Sequence, residues 1–62
     1  MTLKQAREAR GVSQDYIAKR VNVTQSAVSR WEKGEPCLAK YHKLVAKVLG
    51  VKAEDIDEFR RE

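Results

Sequence analysis

The chain has 62 residues, a formal net charge of +4 and an isoelectric point of about 9.5. A domain this small has no room for an enclosed substrate cavity, and one histidine and one cysteine without a phosphate-binding loop predict that it is not an enzyme. A single cysteine, no apolar export signal and no run of about 18 apolar residues predict one cytoplasmic domain over residues 1–62, without a membrane span.

The charge is unevenly distributed along the chain. Residues 1–50 contain ten Lys/Arg and four Asp/Glu, whereas residues 51–62 contain three and five, so the net charge is +6 in the first part and −2 in the second. A basic body with an acidic end indicates a polyanion as the partner of the basic part.

The first two predicted helices follow from their residue types and their ends. Leu3–Arg10 is rich in helix formers, and Gly11 suits the left-handed position that follows a helix. Ser13 is a typical N-cap for a second helix over residues 14–21. Asn22 tolerates a positive φ better than most residues and therefore marks the end of that helix.

Three more helices are expected after this turn. The third has Thr24 as its cap and runs to Lys33. The fourth covers residues 39–49, where apolar residues recur at helical spacing, namely Tyr41, Leu44, Val45, Val48 and Leu49. The fifth covers residues 53–61, with acidic residues at its start and arginines near its end that complement the helix dipole. No segment alternates like a strand, so the sequence predicts an all-α fold, a compact bundle of five helices.

The third helix has two unlike faces. At about 100° per residue, Ala27, Val28 and Trp31 share the side expected to face the core. The opposite face carries polar and basic side chains, namely Gln25, Ser26, Ser29, Arg30 and Lys33. In the major groove of DNA, glutamine can pair with adenine and arginine with guanine, and serine can bond to bases or phosphates. The alternative is a polar face that contacts only water, and this helix taken alone favours neither.

The second and third helices form a characteristic pair. A tight turn at Asn22-Val23 joins them, and the small Ala18 allows the two helices to cross closely. Their shared core is expected to consist of Ile17, Ala18, Val21, Val28 and Trp31. Two helices joined at a steep angle by such a short turn form a helix-turn-helix, whose second helix enters the major groove.

The segment SQDYIAKRVNVTQSAVSRWEKG resembles the helix-turn-helix of the phage repressor and Cro family, also called the xenobiotic-response-element family. The features that carry the resemblance are Gln14, Ala18, Val23-Thr24-Gln25, Val28 and Trp31-Glu32-Lys33-Gly34. It covers nearly the whole chain, with one helix before the motif and two after it, and Asn22 replaces the family's usual glycine. It implies a lambda-repressor-like bundle with the helix-turn-helix at residues 14–33.

The resemblance also implies roles for individual residues. Gln25 is the strongest candidate for a direct base contact, and the other expected base contacts are Thr24, Ser26, Ser29 and Arg30. Phosphate contacts are expected from Ser13, Gln14, Lys33 and Lys40. A structural ion pair is expected between Arg7 and Glu32.

These roles lead to a hypothesis of function. The resemblance implies sequence-specific binding of double-stranded DNA by a transcriptional regulator, most simply a Cro-like repressor that binds a pseudo-palindromic operator as a homodimer. No cofactor, metal or small-molecule ligand is expected. The alternative is a protein-interaction module of the same fold, a coactivator or an antitoxin subunit. An exposed apolar patch around Leu38, Ile56 or Phe59 would support that alternative.

Two potentially reactive residues are expected to be structural. Cys37 has no second cysteine or neighbouring ligand set in the sequence, so we expect a structural or incidental role and not a metal site. His42 lies on the fourth helix between Tyr41 and Lys43, where a position at the surface or the edge of the core is expected.

Overall fold

A computed structural model describes residues 1–60, which form four α-helices and no strand. The helices are α1, Leu3–Arg10; α2, Gln14–Val21; α3, Gln25–Glu32; and α4, Ala39–Leu49. The sequence predicted the same bounds, except that α3 ends one residue earlier, with Lys33 as its C-cap. The all-α class is therefore confirmed for this part of the chain. None of its helices is both long and apolar enough to cross a membrane.

The helix ends carry the capping groups that the sequence indicated. The Ser13 hydroxyl accepts a hydrogen bond from the Tyr16 amide at 3.0 Å, and the Thr24 hydroxyl accepts one from the Ala27 amide at 3.2 Å. Asn22 ends α2 in the left-handed conformation, at φ 63°. Each cap satisfies an amide that has no partner within its own helix, and the left-handed residue allows a sharp turn. Local chemistry therefore determines where α2 ends and α3 begins.

The prediction of a fifth helix over residues 53–61 is wrong for the residues that the structure describes. In its place are two 3-10 helices, Ala53–Asp55 and Asp57–Phe59, separated by Ile56 in an extended conformation at φ −93° and ψ 119°. The Asp57 amide donates to the carbonyl of Met1 at 2.7 Å, whereas in a continuous α-helix it would donate to the carbonyl four residues earlier. A contact with a distant part of the chain thus replaces a helical hydrogen bond.

The same C-terminal segment caps the start of α1. The Glu58 carboxylate accepts a hydrogen bond from the Leu3 amide at 2.7 Å, which satisfies a free amide and places a negative charge at the positive end of the helix dipole. Ile56 and Phe59 point into the core, where they are 0% and 6% exposed. Arg61, the last residue of the predicted fifth helix, lies outside the described residues.

The core is one cluster of apolar side chains, to which all four helices and the segment after them contribute. Val28 and Trp31 of α3 are buried in it, so the core-facing side of the third helix is confirmed. Leu44, one of the apolar residues at helical spacing on α4, is 48% exposed. Val45, Ala46 and Leu49 fill the side of α4 that packs on the other helices, and this leaves Leu44 on the flank.

Candidate nucleic-acid interface

α2 and α3 pack against each other more extensively than any other pair of elements. Ile17 and Ala18 of α2 and Val28 of α3 are almost completely buried between the helices and the rest of the core. The Val23 amide donates to the Ala18 carbonyl at 2.9 Å and closes the turn that joins the two helices. Because the apolar side of α3 is held in this way, its other side faces solvent.

The solvent-facing side of α3 carries the predicted base contacts. Thr24, Gln25, Ser26 and Arg30 are exposed and Ser29 is half-buried. These side chains lie at the N-terminal end of α3 and on its second turn. Residues at the start of the second helix are the ones that approach base edges in a helix-turn-helix. The Thr24 hydroxyl also accepts the hydrogen bond that caps α3, so its role in this surface is partly structural.

An open depression of about 550 Å³ adjoins this surface between α1, the start of α2, and α3. It is lined by Lys4, Arg7, Ser13, Gln14, Gln25, Ser29, Glu32 and Lys33. The depression brings together predicted base contacts, predicted phosphate contacts and both members of the predicted ion pair. Four predicted contact residues lie outside it, namely Thr24, Ser26, Arg30 and Lys40.

A chain of hydrogen bonds links α1, α2 and α3 in this depression. Arg7 pairs with Glu32, with 2.6 Å between Arg7 Nε and Glu32 Oε2. The other oxygen of Glu32 accepts from Gln14 Nε2 at 3.0 Å, and Gln14 Oε1 accepts from Gln25 Nε2 at 3.5 Å. A carboxylate can only accept hydrogen bonds, so Glu32 determines which end of the Gln14 amide faces Gln25.

This chain favours one orientation of the Gln25 amide, through a long and weak final hydrogen bond of 3.5 Å, and leaves part of that amide free. One Nε2 proton of Gln25 points to Gln14, so its second Nε2 proton and its Oε1 remain for another partner. One donor beside one acceptor is the pattern that pairs with the major-groove edge of adenine. The ion pair behind it is largely desolvated, since the side chains of Arg7 and Glu32 are 14% and 7% exposed. Loss of one partner therefore costs more here than at the surface.

Two predicted cationic contacts lie beyond the depression and are held loosely. Arg30 Nε is 3.5 Å from Glu35 Oε1, and both side chains are more than half exposed. Such a pair is weak, so Arg30 stays available for an external anion. Lys40, on α4, places its Nζ 5.2 Å from the centre of the Tyr41 ring.

Lys4 is a residue of this surface that the sequence analysis did not assign. It is exposed on α1 and lines the depression one turn before Arg7. Its position depends on the pairing of Arg7 with Glu32, which are 25 residues apart in the sequence. The signal available in the sequence was the spacing of Lys4 and Arg7, because residues three apart on a helix share one side.

Cys37 and His42 hold the loop between α3 and α4. Burial raises the pKa of the Cys37 thiol to about 11, so the thiol remains protonated and unreactive at neutral pH. His42 Nε2 donates to the Cys37 carbonyl at 2.8 Å, and the imidazole stacks on the ring of Phe59 with 4.3 Å between centroids. Within residues 1–60, no three His, Cys, Asp or Glu side chains are arranged to hold a metal ion.

Comparison with protein families gives a match to a helix-turn-helix model over residues 3–56, a range that includes all four α-helices and the first 3-10 helix. Comparisons with curated proteins and with solved structures each gave no significant match. The matched range is most of the chain and has the α2–α3 pair at its centre. The chain belongs to the helix-turn-helix family of the phage repressor and Cro type, a family of DNA-binding domains and not of enzymes.

Proposed function

We propose that the chain binds double-stranded DNA at a specific sequence, with α3 in the major groove. Membership of the helix-turn-helix family supports DNA binding and transcription regulation in general terms. The observation that supports the finer statement is the hydrogen-bonded chain from Arg7 to Gln25, which orders a glutamine at the exposed start of α3. An ordered side chain loses less conformational entropy on binding, so this arrangement favours a direct base contact over a face that contacts only water.

The predicted residues divide by position in this proposal. Gln25 contacts a base edge, and Ser29, one turn later, lies beside it in the depression. Gln14 donates one amide proton to Glu32 and keeps the other for a phosphate. The further base contacts proposed are Thr24, Ser26 and Arg30, and the further phosphate contacts are Ser13, Lys33 and Lys40. Phosphate contacts position the protein on the duplex, whereas base contacts determine the sequence.

We also propose that two copies bind a pseudo-palindromic operator. Each copy has principal dimensions of 27 × 20 × 18 Å. Half-sites one helical turn apart place the two recognition helices about 34 Å apart. Because the longest dimension of one copy is shorter than this separation, the two copies meet only at their edges. We therefore expect a monomer in the absence of DNA and a pair that forms on the operator.

Occupancy of the operator supplies the regulatory effect in this proposal. A bound pair within a promoter blocks polymerase sterically, which makes the protein a Cro-like repressor acting in the cytoplasm. The same surface is compatible with activation through contact with polymerase. A reporter assay with the operator placed upstream of the promoter or within it separates the two outcomes.

The alternative function is a protein-interaction module. Of the three residues around which its apolar patch is expected, Ile56 and Phe59 are buried, and Leu38 is 64% exposed. Leu44 is also exposed, but single exposed leucines are common on proteins without a partner. DNA binding is therefore the better supported of the two functions.

Selection from a randomised duplex library at near-physiological salt tests the proposal. We expect enrichment of a two-fold site with half-sites about 10 base pairs apart. We also expect the affinity to fall as salt concentration rises, because phosphate contacts release counterions. Enrichment of a single half-site would contradict the homodimer. Absence of binding even at low salt would reject DNA as the partner and favour the protein-interaction module.

A further inference from the structure

We infer that the depression between α1 and the helix-turn-helix holds a phosphodiester of the operator backbone, and that Lys4 of α1 contributes a charged contact to it. The inference rests on the proposed function and extends the interface to a helix outside the motif. The ligand is a phosphate of double-stranded DNA, which is contacted without regard to base sequence.

The position of Lys4 follows from how α1 is attached to α3. The largely buried pair of Arg7 and Glu32 holds the middle of α1 against the end of α3. Lys4 lies one turn before Arg7 on the same side of α1, and it lines the same depression as Gln14 and Gln25. It therefore lies beside the side chains that are proposed to contact DNA.

The charges in the depression favour an anion. Its cationic side chains are Lys4, Arg7 and Lys33, and its carboxylate is Glu32. Arg7 and Glu32 neutralise each other, which leaves the two lysines. In the part of the chain that the structure describes, no carboxylate lies within 4.0 Å of either ammonium group. Two uncompensated lysines beside amide and hydroxyl groups supply the point charges and hydrogen bonds that a phosphodiester takes.

The shape of the depression indicates a strand and not a small molecule. Sites for small ligands bury most of the ligand surface and are lined mainly by apolar side chains. This depression is open to solvent and lined by polar and charged residues, and it borders the exposed start of α3 at Gln25. A DNA strand whose bases contact α3 passes beside that point, so its backbone can reach Lys4 at the same time.

A salt series with two lysine variants tests the inference. Lys4→Ala and Lys43→Ala, each in the full chain of 62 residues, are compared with the wild type on the selected operator. Lys43 is the matched control, because it is an exposed helical lysine outside the depression. We expect Lys4→Ala to weaken binding several-fold and to reduce the salt slope by about 0.9 for each bound copy. We expect Lys43→Ala to leave the slope unchanged.

Neutral methylphosphonates, placed at one operator phosphate at a time, identify the contact. At the phosphate held by Lys4, the substitution should weaken the wild type and Lys43→Ala but have little further effect on Lys4→Ala. If both variants respond alike at every phosphate, or if Lys4→Ala keeps the wild-type salt slope, the inference is overturned and the proposed function stands. If the wild type is folded by circular dichroism but binds no duplex, the inference and the proposed function are both overturned.

Discussion

Two helices of this domain present basic faces to solvent, and the faces differ in how they are ordered. The exposed side of α3 adjoins a depression in which hydrogen bonds run from Arg7 to Gln25. On α4, Lys43 and Lys47 are exposed beside Leu44, and neither lysine forms an ion pair within residues 1–60. Positive charge alone therefore does not distinguish a nucleic-acid interface from a solvated helix.

The difference is one of preorganisation. A largely buried carboxylate is costly unless it is well paired, and Glu32 is satisfied by both Arg7 and Gln14. It thereby fixes the amide that faces Gln25. The α4 lysines are free to move in water, so they can attract a polyanion but cannot select a base. Affinity can arise from either face, whereas specificity is expected only from the ordered one.

Charge reversal on each face is the most direct comparison. Arg30→Glu with Lys33→Glu changes the net charge by the same amount as Lys43→Glu with Lys47→Glu. We expect the first pair to lower operator affinity by about 100-fold or more, because it places carboxylates against phosphates. We expect only a small loss from the second pair, because Lys43 and Lys47 lie outside the depression and are not among the proposed contacts, and salt screens the attraction of charges that touch no phosphate. Fluorescence anisotropy with a labelled duplex measures both, and equal losses would show that only net charge matters.

Removal of the largely buried Glu32 carboxylate tests what holds the ordered face together. Glu32→Ala leaves the largely buried Arg7 without its carboxylate partner, and within residues 1–60 only the Val12 carbonyl still accepts from it, so we expect the free energy of unfolding to fall by about 3 kcal/mol. Lys19→Ala breaks the exposed pair with Asp15 and should cost less than about 1 kcal/mol. Urea unfolding followed by the fluorescence of buried Trp31 measures both. Similar losses in the two variants would contradict the structural role of the pair of Arg7 and Glu32.

The fold was predictable where local chemistry determines it. The caps at Ser13 and Thr24 and the left-handed Asn22 are local, and the four α-helices were predicted almost to the residue. The segment after α4 was not, because its conformation depends on hydrogen bonds to the start of the chain. One of these joins Glu58 to Leu3, which are 55 residues apart, and no pattern within the segment indicates it.

The candidate site was likewise predictable only where local sequence determines it. The motif was enough to place the polar face of α3 on the outside, because its apolar positions specify the buried side. The order of the amides from Glu32 through Gln14 to Gln25 depends on side-chain orientations that spacing does not determine. Lys4 was missed because it reaches the depression only through the contact of α1 with α3.

Substitution of Gln25 measures the specificity of the ordered face. We expect Gln25→Ala to weaken operator binding by about 1–3 kcal/mol and to relax the preference at one base position in each half-site. Gln14→Ala should relax the same position partially, since the Gln25 amide then loses its orienting acceptor. Affinities for the four bases at that position measure both effects. An equal loss for all four bases in Gln14→Ala would show that Gln14 contributes only through its contact with a DNA phosphate.

The smallest expected effect is a gain. Glu35 lies 3.5 Å from Arg30 at the exposed edge of the α3 surface, where its charge competes with phosphate for the guanidinium. Such an exposed pair is worth at most about 1 kcal/mol, so Glu35→Gln should tighten operator binding by no more than about five-fold. The gain should shrink at high salt, where the pair is screened. Glu54→Gln makes the same charge change in the acidic end of the chain and should leave affinity nearly unaltered. A loss of affinity in Glu35→Gln alone would mean that Glu35 positions Arg30 for DNA instead of competing for it.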